Sequence, residues 1–155
     1  MDLPIPADIR AQMDAYLKRL LASIDKEGFA IPFVPADPHT GEPSLAYTVG
    51  LNIHRGYELA ISGLPYEASR SALNSLAARL LEQQTPPTQA MEVKGAAGGG
   101  YSLRLRRAES AAPFVLVRTV YSRNPPVWQA AWPDREGRFP GDAACMLSDG
   151  AQFPP

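Results

Sequence analysis

Three side chains in this sequence are candidates for acid–base chemistry: Glu58, Asp134 and His54. Carboxyl groups that exchange protons with a substrate must share a cleft that drives their pKa values apart. Asp134 lies in the run PDREG at 133–137, which has the composition of a tight turn, so a carboxylate that accepts backbone N–H bonds in its own turn is favoured. His54 falls in a short connection between two expected strands, where an exposed loop histidine is the simpler interpretation.

Nucleophilic, metal and cofactor chemistry find little support in the residue spacing. The chain has no G-x-S-x-G segment, and Cys145, His54 and Asp142 are one permutation of common residues. Two histidines and one cysteine at no recognised spacing predict no metal site. The glycine-rich run at 95–101 leads into an alternating strand and does not open a helix, so we interpret it as a hairpin loop and predict no cofactor.

Arginines are concentrated in the second half of the chain. Arg104 and Arg106 alternate with leucines in the run YSLRLRR, and Arg118 follows the apolar run FVLV, which we expect to be a central strand. If these two strands pair, the three arginines would share a face and bind an anion or an acidic partner. A solvated sheet face that resists aggregation explains the pattern equally well.

Aromatic residues form the other candidate site. Tyr47, Trp128, Trp132 and Phe139 would line an apolar pocket if they converge, and Tyr47 and Trp132 are the members that we expect to contact a ligand or partner. The alternative, which we favour, is a core role. The two tryptophans would point to one side of their element, and the turn at 133–137 would return Phe139 to them and hold the C-terminal tail to the sheet.

The elements that must position these residues are two helices and several short strands. A stripe of apolar residues at three- and four-residue spacing predicts a helix from about residue 6 to 26, with Asp8 as N-cap and Gly28 as stop, packed on the sheet. A second helix begins near Pro65 and ends at the run TPPT. Strands are predicted in FAIPFVP, as an edge strand, and in LAYTVGL, YELAISG, MEVKG, YSLRLRR and FVLVRTVY.

These elements predict an α+β fold. We expect one domain over residues 1–155, with a mostly antiparallel sheet of about five strands and the two helices packed on one face. Residues from Pro125 onward have the composition of irregular structure, and the proline-rich tail is expected to begin at about residue 141.

Composition limits the partners. The chain has 155 residues, with 15 basic and 16 acidic side chains and a formal net charge of −1, so no general field attracts nucleic acid or a membrane surface. No segment approaches the roughly 20 apolar residues of a membrane span, and the N-terminal residues lack the pattern of a signal peptide. Together with a single cysteine, these features predict a cytoplasmic protein.

Three stretches in order resemble a bacterial family, the domain of unknown function 4262 family. They are LAYTVGL at 45–51, YELAISGLP at 57–65 and WQAAWPDREGRFP at 128–140. The chain departs from the usual pattern of that family at Gly56 and Tyr57, where a His-Pro pair is usual, and at Gly141, where Trp is usual. The resemblance implies an α+β cytosolic protein and implies no catalytic residues.

Two functional hypotheses follow. The first is a non-catalytic binding or regulatory module that acts through a protein partner, in an immunity-like role for example, or through self-association. The second is a hydrolase or lyase that uses Glu58, Asp134 and His54 beside the aromatic residues. Convergence of these three side chains on one cleft would distinguish the second hypothesis from the first.

Overall fold

The computed structural model describes residues 6–121, 123–147 and 152, which form four α-helices and a six-stranded sheet. The helices are α1 (Ala7–Glu27), α2 (Leu51–Arg55), α3 (Tyr66–Gln83) and α4 (Val115–Val120). The strands are β1 (Phe33–Val34), β2 (Leu45–Tyr47), β3 (Glu58–Ser62), β4 (Glu92–Val93), β5 (Leu103–Arg107) and β6 (Val127–Ala131). A single 3-10 turn covers Gly98–Gly100 in the glycine-rich loop. Within this described part of the chain, no helix combines the length and the apolar content needed to cross a bilayer.

The sheet has the strand order β1-β2-β3-β6-β5-β4. All neighbours are antiparallel except β3 and β6, which run parallel with Glu58 opposite Val127 and Ile61 opposite Ala130. β1 lies at an edge, as its prolines predict. The central strand β6 lies in the part of the chain expected to be irregular. That expectation was wrong because β6 pairs with β3 on one side and with β5 on the other, and this pairing outweighs the tendency of the flanking prolines to interrupt so short a strand.

Two apolar clusters occupy the two faces of the sheet. Leu59 and Ile61 of β3 pack with the apolar face of α3, whereas Ala60, between them, packs with Phe114 and the α4 residue Val117. Since successive strand residues point to opposite faces, α3 and α4 cover opposite sides. The mixed α and β fold with one sheet is confirmed, but the expected five strands with two helices on one face are wrong in detail. The assignment of residues 1–155 to a single domain stays a prediction.

The run FVLV was wrongly predicted to be a strand. Phe114 and Val117 are buried, whereas Val115 is exposed, so the run is not covered on both sides. A short apolar run cannot distinguish a strand from a buried helical turn by periodicity. The three-residue spacing of Phe114 and Val117 instead suits α4, with one face on the sheet. Arg118 therefore belongs to a helix and does not extend the arginine pattern of β5.

α1 has the predicted bounds to within about a residue, but it does not lie on the sheet along its length. Its N-cap is Pro6, not Asp8, and Gly28 ends it in the left-handed conformation as predicted. Leu20 is the only buried residue of the helix, and Ile24 is half-buried against the α4 cluster. Ile9 and Met13 belong to the apolar stripe that was expected to pack on the sheet, but they are 45% and 55% exposed, so this expectation was wrong for them. The first half of α1 therefore projects from the core.

The short helix α2 replaces the expected loop between β2 and β3. Gly50 precedes it with φ +120°, and a Cβ there would lie 2.8 Å from the carbonyl oxygen of Gly28 and 2.9 Å from Cα of Phe29. Gly137 also has positive φ, +82°, as its turn predicts, but it has open space around it. Both glycines are therefore required, for different reasons.

We predict that Gly50→Ala destabilises the protein by more than about 3 kcal/mol, because backbone strain and a clash with backbone atoms act together. Gly137→Ala is the matched control, with strain alone and an expected cost of about 1 kcal/mol. Chemical denaturation of both variants measures the difference. Equal costs would contradict the close approach of Gly50 to the end of α1.

We also predict that Leu20→Ala lowers the free energy of unfolding by about 2 to 3 kcal/mol, since this side chain, 6% exposed, anchors α1. Leu81→Ala, at an exposed leucine of α3, should cost less than about 0.5 kcal/mol. Denaturant melts compare the two. A negligible effect at Leu20 would mean that α1 is not held to the core through this residue.

Candidate functional site

Glu58, the first residue of β3, is fully buried and accepts five hydrogen bonds. The donors are Thr48 Oγ1 at 2.8 Å, the backbone N–H groups of Gly50, Leu51 and Asn52 at 2.9, 3.2 and 3.3 Å, and the Tyr121 hydroxyl at 2.6 Å. Three of the five donors are the backbone amides at the start of α2. The carboxylate therefore caps this helix from a neighbouring strand.

Burial raises the pKa of Glu58, while the hydrogen bonds from Tyr121, Thr48, Gly50 and Asn52 act in the opposite direction. A catalytic carboxyl group needs an open side toward a substrate. Glu58 has none, because its surface is buried and both of its oxygens are engaged by the protein itself. Its role in the structure is to hold β2, α2 and β3 together through these hydrogen bonds.

Tyr121, at the end of α4, completes this cluster and was not identified from the sequence. Its hydroxyl donates to Glu58 and accepts the N–H of Gly50 at 2.8 Å. Burial and the nearby Glu58 carboxylate raise the pKa of Tyr121 above its ordinary range. The one sequence signal for such a partner was a glutamate at the start of the apolar run ELAIS, since a buried carboxylate requires donors.

Asp134 lies beyond the opposite end of β6 from Glu58. Glu58 pairs with Val127 at the start of β6, and Asp134 follows its last residue, Ala131, so a whole strand of about 13 Å separates them. Asp134 accepts N–H bonds from Glu136 and Arg138 at 3.0 and 2.8 Å and pairs with the Arg138 guanidinium. Its role within its own turn is confirmed. The two carboxylates do not converge on one cleft.

His54 lies on α2 near its C-terminal end and is exposed. It borders a shallow apolar hollow with Phe29, Leu51 and Leu81. Glu58 lies on the buried side of the N-terminal end of α2. Among the described residues, no hydrogen bond joins the Glu58 and His54 side chains. The three proposed acid–base residues are therefore in three different environments.

The aromatic candidates have structural contacts. Tyr47 is buried, packs edge-on against Phe114 at 5.6 Å and accepts the N–H of Leu116; burial raises its pKa. Trp128 and Trp132 both pack against the cluster on the other face of the sheet, the one that α3 covers, so they share a side as predicted from their spacing. The indole N–H of Trp132 donates to the Ser62 carbonyl at 2.8 Å. A ligand-binding role for Tyr47 or Trp132 stays a prediction.

The segment after β6 holds part of the C-terminal tail to the sheet, as predicted, but one of the expected contacts differs. The backbone N–H and C=O of Trp132 bond to the side-chain amide of Gln152 at 2.8 and 2.9 Å, so this residue of the C-terminal tail is fixed to the sheet. Phe139 is buried, but it lies 4.3 Å from the guanidinium of Arg104 and not in a ring contact with the tryptophans. Residues 141–147 contain no helix or strand, and 148–151 and 153–155 of the expected tail lie outside the described residues.

The predicted arginine face does not include all three residues. Arg104 pairs with Glu92 and Asp142 at 2.9 and 3.0 Å, and it holds the pKa of Asp142 below its ordinary range. Arg106 is on the same side of β5 as Arg104. Arg118 lies on α4, so the expectation that it shares their face was wrong. Among the described residues, no group of three or more His, Cys, Asp or Glu side chains could hold a metal ion.

We predict that Glu58 makes the protein less stable as pH rises through its raised pKa. The folded carboxyl binds its proton more tightly than the unfolded one, whose ordinary pKa is 4.5, so this stabilisation is complete below 4.5 and is lost above the folded pKa. Glu58→Gln lacks the titration. The wild-type free energy of unfolding minus that of the variant should therefore decrease as pH rises.

Denaturant melts of both proteins at several pH values measure this difference. Subtracting the free energy of unfolding of the variant removes the pH-dependent contributions of Asp134 and Asp142. Their lowered pKa values change the stability with pH in the opposite sense. A difference that increases with pH would show that hydrogen bonds outweigh burial at Glu58.

Comparison with known proteins gave one match. The model of the family described as "Domain of unknown function (DUF4262)" matches residues 23–146. No curated protein and no solved structure matched the chain. The matched region runs from the end of α1 through β6 and the turn that contains Asp134, and it includes the Glu58 cluster. Because the match covers most of its length, the chain belongs to the DUF4262 family.

Proposed function

We propose that this protein is a non-catalytic interaction module that self-associates through α1. The observation that carries the proposal is the exposed apolar stripe of this helix. Ile9, Met13 and Leu21 are 45%, 55% and 47% exposed, and Leu17, between them, is half-buried. These residues follow one another at four-residue intervals and so form a continuous ridge on the helix surface. We call them the α1 ridge.

Sequence periodicity of this strength normally reflects burial in the core of the same chain. Here the core uses only Leu20 and part of Ile24, so the apolar pattern extends well beyond what the described fold covers. Contiguous exposed apolar side chains rimmed by charges are typical of an interaction surface. The α1 ridge has such a rim, formed by Arg10, Asp14 and Lys18.

A second copy of the chain suits this surface because the ridge is symmetric about Ala15. If two α1 helices pair antiparallel across a two-fold axis at Ala15, Ile9 of each meets Leu21 of the other, and Met13 meets Leu17. Such a contact is isologous, so each apolar pair forms twice. Ala15 marks only the level of this axis along the helix, because at 3.6 residues per turn its side chain lies on the side opposite the ridge; the contact is made by the α1 ridge alone.

The charges of α1 favour the same arrangement. Residues 7–16 carry two acids and one base, whereas residues 17–24 carry two bases and no acid. Antiparallel pairing places these oppositely charged halves side by side. Asp14 then lies within about one helical turn of Lys18 of the second copy, on the same flank of the ridge. Neither Asp14 nor Lys18 has an ion-pair partner within the described part of the chain.

The non-catalytic part of the proposal is supported by the positions of the candidate acids. Glu58 and Asp134 both hold backbone N–H groups, at opposite ends of β6. The hydrolase or lyase hypothesis required them in one cleft. No described contact favours that hypothesis over the interaction module.

We predict that light scattering coupled to size-exclusion chromatography shows a concentration-dependent dimer. Met13→Glu should shift the protein to monomer, because it introduces two like charges into the apolar contact. Circular dichroism should show that the variant remains folded, since Met13 is outside the core. A wild type that stays monomeric at several hundred micromolar would contradict self-association and leave a different protein as the partner.

The orientation is tested by charge exchange. Asp14→Lys and Lys18→Asp should each weaken the dimer, and the double variant should restore it because both reciprocal pairs are re-formed with opposite polarity. Asp25→Lys with Lys26→Asp, beyond the paired region, is the control and should leave the dimer unchanged. Failure of the double variant to recover would contradict the antiparallel register.

A further inference from the structure

A groove of about 290 Å³ lies between α1 and α3, on a different side of α1 from the ridge. Its floor is formed by residues 29–32, which connect α1 to the sheet through the Ala30–Val49 bridge. The walls carry polar side chains from both helices. They are Tyr16, Arg19 and Ser23 from α1 and Tyr66, Arg70 and Asn74 from α3.

Two arginine side chains line the groove, Arg19 from α1 and Arg70 from α3. Among residues 6–121, 123–147 and 152, neither the Arg19 nor the Arg70 side chain forms an ion pair or hydrogen bond, whereas the side chains of Arg104 and Arg138 are both paired. The one acid that borders the groove is Glu27, eight residues after Arg19 and therefore about 12 Å further along α1. The end of the groove near Arg19 is thus positively charged.

The two tyrosines add ring surface and hydroxyl groups to the same walls. Tyr66 packs edge-on against Phe33 with 5.4 Å between ring centroids, and this contact fixes its ring while 43% of the residue stays exposed. Tyr16 is 41% exposed on the opposite wall. Side chains that donate hydrogen bonds therefore surround an open space with flat apolar surfaces beside it.

We propose that this groove binds a phosphate group carried on a small aromatic ring. A guanidinium group donates two parallel hydrogen bonds to a phosphate, and two such groups neutralise its double charge. The ring of the ligand would lie against Tyr16 and Tyr66. A volume of about 290 Å³ suits a ligand of this size, at the lower end of the range for small-molecule sites.

The same chemistry would come from a free aryl phosphate or from a phosphorylated tyrosine of another protein. Both place a phosphate and a six-membered ring in the groove. They differ in what flanks the ring, since only a peptide adds backbone and neighbouring side chains that can contact further wall residues such as Ser23 and Asn74. This difference can be measured.

The experiment is calorimetric titration of the purified chain with phenyl phosphate, inorganic phosphate and a phosphotyrosine peptide at low ionic strength. We expect phenyl phosphate to bind at least about tenfold more tightly than inorganic phosphate. Arg19→Gln and Arg70→Gln should each weaken the binding of phenyl phosphate about tenfold or more, the usual effect of losing a charged hydrogen bond. Arg118→Gln, an arginine variant on α4, is the matched control and should bind like the wild type.

Two results would overturn the proposal. One is that phenyl phosphate shows no detectable binding, either with the protein in about 10-fold excess over the ligand or with the ligand at millimolar concentration. The other is equal weakening in all three arginine variants, which would indicate a general charge effect. A phosphotyrosine peptide that binds more tightly than phenyl phosphate identifies a protein as the source, and equal affinities identify a free ligand; both uphold the site. Met13→Glu should bind phenyl phosphate normally, so this result is independent of self-association.

Discussion

The buried carboxylate of Glu58 is the constraint on which the arrangement of the other elements depends. An ionisable group without solvent contact must be satisfied by protein donors, and here those donors come from the end of β2, the start of α2 and the end of α4. These five donors come from three different segments of the chain. The carboxylate therefore fixes the relative positions of elements from both faces of the sheet.

Gly50 transmits this constraint to α1. Its N–H donates to Glu58 and to Tyr121, and this geometry brings its Cα against the backbone of Gly28 and Phe29. The end of α1 is thereby fixed beside the sheet, where Ile24 and Leu20 complete the contact. The rest of the helix receives no comparable support from the described core, which explains why an amphipathic helix of 21 residues projects with most of its apolar stripe exposed.

This anchoring gives α1 two separate surfaces. The ridge of Ile9, Met13, Leu17 and Leu21 points away from the core, while Tyr16, Arg19 and Ser23 face α3 across the groove. The family match begins at residue 23, so the ridge lies before the matched region, whereas Tyr66 and Arg70 of the groove lie inside it. Self-association and ligand binding would use different side chains of one helix. A mutation can therefore abolish one of these two activities and leave the other intact.

The sequence by itself determined the local features of this protein. Helical spacing defined α1 and α3, and the composition of the turn at 133–137 predicted both the positive φ of Gly137 and the N–H bonds that Asp134 accepts, because these properties depend on a few adjacent residues. Only the tertiary structure decided that FVLV is helical, that β6 pairs parallel to β3, that the carboxylates lie apart and that the stripe of α1 is exposed. An apolar pattern shows that a face needs a partner. It does not specify whether that partner is the sheet of the same chain or another molecule, since both remove the same apolar surface from water.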